Sequence, residues 1–317
     1  MAPTGSTITA VRGVRVGHAE DPTGPSGVTV LSFGRSAPTV VDVRGGAAAV
    51  YDTASLSLDS TFGGRWALFF SGGSVFGLDA AAGVRTRVLE EGGGRPAFTN
   101  PQRIAPISGA ALFDLPSDDR PLPDYRRLGY EATAAASRAP VALGRVGAGA
   151  GATVGKYHGR AHSSHGGVGS SAVRLAGLGS VGALVVLNSV GAIRDPETGR
   201  WHAGARRNGA GRILPPPVEF RRTRSRVPPP RGTNLVAVVT DIPLARTELA
   251  RVAILAHTGV GRSVVPVNSA TDGDLVFAST TVPRGRGAPD DAGARADSVG
   301  VAAAQAVVRA VLSAVVT

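Results

Sequence analysis

Leu68-Phe69-Phe70-Ser71-Gly72-Gly73-Ser74-Val75-Phe76-Gly77-Leu78-Asp79-Ala80-Ala81-Ala82-Gly83-Val84 joins an apolar run, a glycine-rich turn and the opening of a helix without a break. Trp66–Ser71 reads as a strand, because a short apolar and aromatic run bounded by glycines suits a pleated, buried segment. Helical spacing from Leu78 to Glu91 stops at Gly92-Gly93-Gly94, where glycine supplies a left-handed exit. The turn between them could present helix N–H groups to an anion. It is not a Walker loop, since no Gly-Lys-Ser/Thr follows. It also lacks the G-x-G-x-x-G order, and the acid about 20 residues on, that dinucleotide binding requires. The turn is therefore not read as a nucleotide cradle.

The same alternation extends outward. Strand-like runs occupy 27–33, 39–43, 110–115, 181–188, 234–240 and 275–278, with helical spacing at 130–139, 248–258 and 298–316. The last segment is apolar nearly all round, with Asp297 or Ser298 as its N-cap, so it should be buried between layers. No βαβ rhythm and no fixed repeat are visible. The expected architecture is a layered α/β sandwich, helices covering both faces of packed sheets, forming one catalytic domain over residues 1–317.

The 317 residues carry 34 Lys plus Arg against 23 Asp plus Glu, a net charge of +11. Eight arginines lie between Trp201 and Arg231 against the single acid Glu219, so seven of those eleven charges belong to one stretch that also holds Pro215–Pro217 and Pro228–Pro230. That composition suits an exposed, extended loop better than a nucleic-acid surface, and two aromatics are too few for base stacking. Nucleic acid is not an expected partner. Cysteine is absent, which removes disulfides, thiolate metal sites and a thiol nucleophile. Residues 1–11 lack a basic start followed by an apolar core, and the apolar runs are short or interrupted, so a cytoplasmic protein outside the membrane is expected.

Lys156 is the only lysine in a chain that otherwise uses arginine. An ammonium can be desolvated until it titrates near neutrality, whereas a guanidinium stays charged. Asn188 ends a very apolar strand, where a buried amide must find partners and could stabilise an oxyanion. Pro266-Val267-Asn268-Ser269-Ala270-Thr271-Asp272-Gly273-Asp274 places a serine before an acidic turn. No G-x-S-x-G elbow occurs. Cleavage before a serine would make it an N-terminal nucleophile whose α-amine, ordinarily near pKa 7.7–8.0, serves as base. On local grounds alone, Asp272 and Asp274 shape a hairpin turn. His158, His162 and His165 sit among glycines with no acid nearby, so no metal and no cofactor are expected.

Taken together these stretches resemble the DmpA-like family of self-processing hydrolases (peptidase family S58), which includes L-aminopeptidase/D-esterase, β-aminopeptidases and the nylon-oligomer hydrolase. The resemblance runs through Gly13–His18, Val41–Gly46, Leu68–Val84, Ile107–Leu115, the glycine run ending at Lys156, then Asn188, His257, Arg262 and Asn268–Asp274. It implies a four-layer αββα fold of the DmpA/ornithine acetyltransferase type, akin to N-terminal-nucleophile hydrolases. It implies autocleavage between Asn268 and Ser269 into chains 1–268 and 269–317, and assembly of the cleaved units into a homo-oligomer. Ser269 becomes the nucleophile, Lys156 the active-site lysine and Asn188 an oxyanion or amino-terminus contact. Asp297 and Ser298 match the polar pair before the last helix, with Asp291 as runner-up, and Tyr130 matches a Gly-Tyr of the family. Gly72, Gly73, Tyr130 and Asp272 would contact a small peptide or amide. The alternatives are acyl transfer on the same fold, and a non-catalytic member binding polyanions through residues 201–231. Two departures concern substrate: Tyr51-Asp52-Thr53-Ala54 stands where an acidic-Thr-acidic turn is usual, and Thr258 where an Asp usually follows the histidine.

Overall fold

Side-chain parity along the central strands sets the layering. In the computed structural model, which describes residues 6–116, 118–207, 211–216, 231–283 and 292–315, nine strands are joined by hydrogen bonds, eight of them in one path. They are β1 (Arg15–Glu20), β2 (Gly27–Val43), β3 (Ala49–Tyr51), β4 (Gly64–Ser71), β5 (Ile107–Ala111), β6 (Gly167–Leu175), β7 (Gly179–Asn188), β8 (Thr233–Thr240) and β9 (Leu275–Thr280). Their order is β6-β7-β8-β9-β2-β4-β5-β3, with β1 added on β2. Pairing is parallel between β8 and β9 and between β4 and β5, and antiparallel elsewhere.

Long β2 divides this path into two sheets. Its first half pairs β1 and β4, and its second half pairs β9. The ladder breaks between Ser32 and Ala37, where Gly34 takes φ +64° and residues 34–36 are exposed. Bulges of this kind bend a strand and let it serve two sheets. The two separate runs expected at 27–33 and 39–43 are thus one strand.

Val181, Ala183, Val185 and Leu187 of β7 point to one side, with Val236 and Val238 of β8, and meet α3 (Arg246–Ser263) and α4 (Ala292–Ser313). Leu184, Val186, Leu235, Ala237 and Phe277 point to the other side and interlock with Leu31, Leu68, Phe70 and Ala110 of the second sheet. That sheet's far face, through Val30, Ala67 and Phe69, carries α1 (Ala80–Glu90) and α2 (Tyr125–Ala134). The order is helices, sheet, sheet, helices: the expected αββα sandwich. Helix α4 is long and apolar enough to span a membrane by length and composition, yet 67% of its most apolar 18-residue stretch is buried within the fold.

Several boundaries differ from the sequence reading. Helix α2 starts at Tyr125, capped by Asp124, whose side chain accepts from the Arg127 N–H. Helix α3 runs on to Ser263. Helix α4 begins at Ala292, so Asp297 and Ser298 are not its N-cap; Ser298 Oγ donates back to the Ala294 carbonyl at 2.8 Å. Strand β5 ends at Ala111, leaving Leu112–Leu115 as irregular chain beside the site. Asp272 and Asp274 do not close a hairpin: the short strand before them, Val264–Val265, pairs with Ala192–Ile193, while β9 after them pairs with β8 and β2. The glycine run at 147–149 is a 3-10 turn packed so closely that a Cβ on Gly149 would lie 2.6 Å from the Val168 nitrogen. Of the Arg/Pro-rich segment 201–231, positions 208–210 and 217–230 lie outside the described residues.

Candidate active site

Lys156 opens a 3-10 turn after Gly155, which sits at φ +75° with no room for a Cβ, 2.2 Å short of the Ala205 nitrogen. Two backbone bonds dock this turn just beyond β7: Gly155 N–H to the Gly191 carbonyl (2.8 Å) and Lys156 N–H to the Val190 carbonyl (2.9 Å). The lysine side chain then turns inward. Its Nζ donates to both the main-chain carbonyl and the Oδ1 of Asn188, each at 2.7 Å. Burial pushes the ammonium down to about pKa 7, against the opposing pull of Asp272.

Asn188 is fixed on both sides. Oδ1 also accepts the Thr153 N–H (3.0 Å), and Nδ2 donates to the Phe113 carbonyl (3.1 Å). Its amide N–H is therefore engaged by the protein, and its oxygens face Lys156. These bonds make Asn188 a holder of Lys156, with one of its two Nδ2 hydrogens committed to Phe113.

The segment 268–274 is held by backbone from the end of β2. Arg44 and Gly45 N–H groups donate to the Asp274 carbonyl (3.0 Å each), Gly46 N–H to Ser269 (3.2 Å) and Ala47 N–H to Asp272 (2.8 Å). A Cβ on Gly45 would fall 2.3 Å from the Asp274 nitrogen, and one on Gly46 2.7 Å from the Ala270 carbonyl oxygen. Only glycine allows this approach.

Asp272 and Asp274 turn their carboxylates inward and are buried. Asn268 N–H donates to Asp274 Oδ2 (2.8 Å), whose Oδ1 takes the main-chain and side-chain N–H groups of Asn234 (2.7 and 2.9 Å). Ser269 N–H donates to Asp272 Oδ2 (3.1 Å). Asn268 is thereby held at φ +57°, a left-handed conformation that L-residues rarely adopt, directly before half-buried Ser269. Ser269 Oγ lies 3.3 Å from Thr271 Oγ1. Burial pushes Asp272 up, and burial with the neighbouring Asp272 charge pushes Asp274 up to about 7.

Asp114 was not singled out from the sequence. It is buried just past β5, and its Oδ1 accepts the Gly73 N–H (2.6 Å). Burial pushes it up to about 6, and its charge acts on Lys156. Gly73 thus gives its N–H to Asp114 and Gly72 its own to the Gly27 carbonyl (2.9 Å), and a Cβ on Gly72 would sit 2.3 Å from Asp114 Oδ2. Tyr125, also unforeseen, shares a hydrogen bond with Ser26 (2.9 Å) beneath the same turn. The structure thus brings together Ser269, Asn268, Lys156, Asn188, Asp272, Gly72 and Gly73. It does not bring in Tyr130, whose hydroxyl donates to Glu90 (2.7 Å) on the α1–α2 surface. Asp297 and Ser298 lie exposed on α4, without a hydrogen bond to this cluster among the described residues. Asp291 lies outside the described residues.

A family model described as peptidase family S58 matches residues 6–317. An uncharacterized aminopeptidase of Mycobacterium tuberculosis is 36% identical, covering 98% of this chain and 93% of the relative. The 6-aminohexanoate-oligomer endohydrolase of a Kocuria species is 30% identical over 85% of this chain and 73% of its own. Among solved structures, a β-aminopeptidase of a Burkholderia species aligns with a TM-score of 0.64 at 23% identity, covering 99% of this chain and 87% of that one. An L-aminopeptidase D-Ala-esterase/amidase from Ochrobactrum anthropi, described as a variant of the Ntn hydrolase fold, aligns with a TM-score of 0.65 at 22% identity, covering 98% and 85%.

Proposed function

The chain belongs to peptidase family S58 and is a hydrolase of amide bonds; from that premise we propose that it cleaves itself between Asn268 and Ser269 and then acts as an aminopeptidase or amidase through the freed Ser269. The observation that carries this reading is the contact of the Ser269 nitrogen with Asp272, beside a buried lysine titrating near neutrality. In the continuous chain that nitrogen is the scissile amide. After cleavage the same nitrogen is an α-amine already placed against a carboxylate.

In processing, Ser269 Oγ adds to the Asn268 carbonyl carbon and its proton passes to a base. Lys156, partly neutral near pH 7, is suited to that task. The C–N bond breaks as the Ser269 nitrogen gains a proton, leaving an ester between Asn268 and Oγ. Water hydrolyses the ester to an Asn268 carboxylate and a free Ser269 amine. Relief of the left-handed Asn268 conformation favours the same direction.

In turnover, the α-amine takes the Oγ proton as Oγ attacks the substrate amide, and returns it to the leaving amine. A charged Lys156 lowers the pKa of that α-amine, while Asn188 keeps the lysine in place. Water then releases the acyl group. Substrates are small peptides or amino-acid amides, in keeping with the aminopeptidases and the oligomer hydrolase among the relatives.

Denaturing mass spectrometry of the purified protein tests the first step. Fragments 1–268 and 269–317 are expected, and Ser269→Ala should remain one chain without hydrolytic activity. A wild-type chain that stays intact on prolonged incubation overturns the reading.

A further inference from the structure

Residues 113–115 form one wall of the site. The Phe113 carbonyl holds the Asn188 amide, and Asp114 faces inward toward Lys156. Two arginines are attached to this short wall. Arg160 Nη1 donates to the Leu115 carbonyl at 2.8 Å. The Arg231 guanidinium lies 5.5 Å from the centre of the Phe113 ring. Arg231 is followed by Gly232, where a Cβ would meet Asp272 Oδ1 at 2.5 Å, so its backbone abuts the catalytic loop. The Arg160 charge is felt at both Lys156 and Asp114.

Both arginines are exposed, and among the described residues neither makes an ion pair with an acid. Arg103 and Arg246 are likewise held by carbonyls, and Arg95 and Arg194 by ring faces, without an ion pair among the described residues; what sets Arg160 and Arg231 apart is that their anchors are residues 113–115, at the site. An arginine held by a carbonyl or a ring face keeps N–H donors free, and its fork fits a carboxylate in two-point contact.

We propose that Arg160 and Arg231 bind the free carboxylate of the substrate, so that the preferred substrates are short amides ending in an acid a few bonds beyond the scissile bond. The inference rests on Ser269 being the nucleophile, and it names what lies on the leaving side. Uncapped dimers of α- or ω-amino acids carry this chemistry; their carboxamides do not.

The test uses processed wild-type enzyme and the Arg160→Gln/Arg231→Gln variant. A panel of dipeptides and ω-amino-acyl dimers is assayed, each as free acid and as carboxamide, reading the ratio of kcat/KM within each pair. Taking the ratio at one pH cancels any effect that loss of Arg160 has through Lys156. Wild type is expected to favour the acid by about tenfold, mainly in KM, with the preference weakening in high salt and falling to near unity in the variant. Arg160→Lys/Arg231→Lys, which keeps the charges but not the forks, should retain only part of it. A wild-type ratio near unity, or a preference unaltered in the variants, overturns the inference and leaves the functional reading standing. Failure of processed enzyme to hydrolyse either member of any pair overturns both.

Discussion

Asn188 offers Lys156 two oxygens, its own carbonyl and its side-chain Oδ1, each 2.7 Å from Nζ. Neither oxygen bears a formal charge. Dipoles partly replace the water that a buried ammonium loses, but they do not outweigh the desolvation, so the lysine titrates near 7. The Phe113 carbonyl and the Thr153 N–H lock the amide, so its oxygen cannot flip away. An arginine in this place would stay charged at every working pH.

Replacing Asn188 by Asp keeps the shape and puts an anion where the dipole was. An opposite charge in contact favours the ammonium, so the lysine pKa should rise by roughly 1–3 units. If neutral Lys156 is the processing base, the self-cleavage rate of Asn188→Asp will need a correspondingly higher pH to reach half its maximum. A pH profile of cleavage, followed by denaturing electrophoresis, reads this directly; an unmoved profile removes Lys156 from the step.

The same lysine makes a prediction about stability. Its folded pKa, about 7, lies below its unfolded value near 10.5, so between those limits the unfolded state binds more protons. Stability therefore rises with pH across that window, by up to about 1.4 kcal/mol per pH unit from this group. Lys156→Met lacks the titration. Wild type should gain stability relative to Lys156→Met between about pH 7 and 10, measured by urea unfolding at each pH, with processing blocked in both by Ser269→Ala. Parallel pH dependences would contradict the buried, depressed lysine.

The strands and outer layers were legible because they depend on continuous apolar runs, as in Val181–Leu187 and Asn234–Thr240. Lys156 and Ser269 stood out by residue type and local setting. Asp114 did not, because its role arises from packing against Gly72 and Gly151, some 40 residues away on either side. Asp272 and Asp274 looked like turn formers because Asp-Gly-Asp has that local preference, whereas their buried carboxylates are held by N–H groups of Asn234, Asn268 and Ser269, of which Asn234 is distant in sequence. Asp297 and Ser298 have the chemistry of a cap, but the preceding Ala-Gly-Ala-Arg-Ala extends the helix past them.

Asp114→Asn tests the missed residue. Burial raises the Asp114 pKa from 3.8 to about 6, so the folded state binds more protons over that range and stability falls as pH rises through it. Removing the charge should stabilise the protein at pH 7 by roughly 1–3 kcal/mol. It also withdraws an anion that supports the Lys156 ammonium, so the acid limb of the cleavage profile should shift to lower pH. Loss of stability at pH 7 with an unshifted profile would mean that the Gly73 hydrogen bond, not the charge, is what Asp114 supplies.

Gly45 tests the cradle behind the scissile bond. A methyl group there would lie 2.3 Å from the Asp274 nitrogen and 2.4 Å from the Asp272 oxygen, both backbone atoms that can move only if the loop moves. That loop carries the Ser269–Asp272 contact, so displacing it by even a few tenths of an ångström degrades the alignment of Oγ with the Asn268 carbonyl. Gly45→Ala should slow self-cleavage by at least about tenfold while the four layers still form, since the helices and both sheet interfaces are untouched. Gly261 provides the comparison: it is exposed on α3 with nothing within 4 Å of its Cβ position. Gly261→Ala should process at the wild-type rate and gain up to about 1 kcal/mol from helix propensity. The fraction of intact chain against time, with circular dichroism to report folding, distinguishes the two. Normal processing in Gly45→Ala would show that the close approach of the β2 end to the 268–274 loop does not govern cleavage.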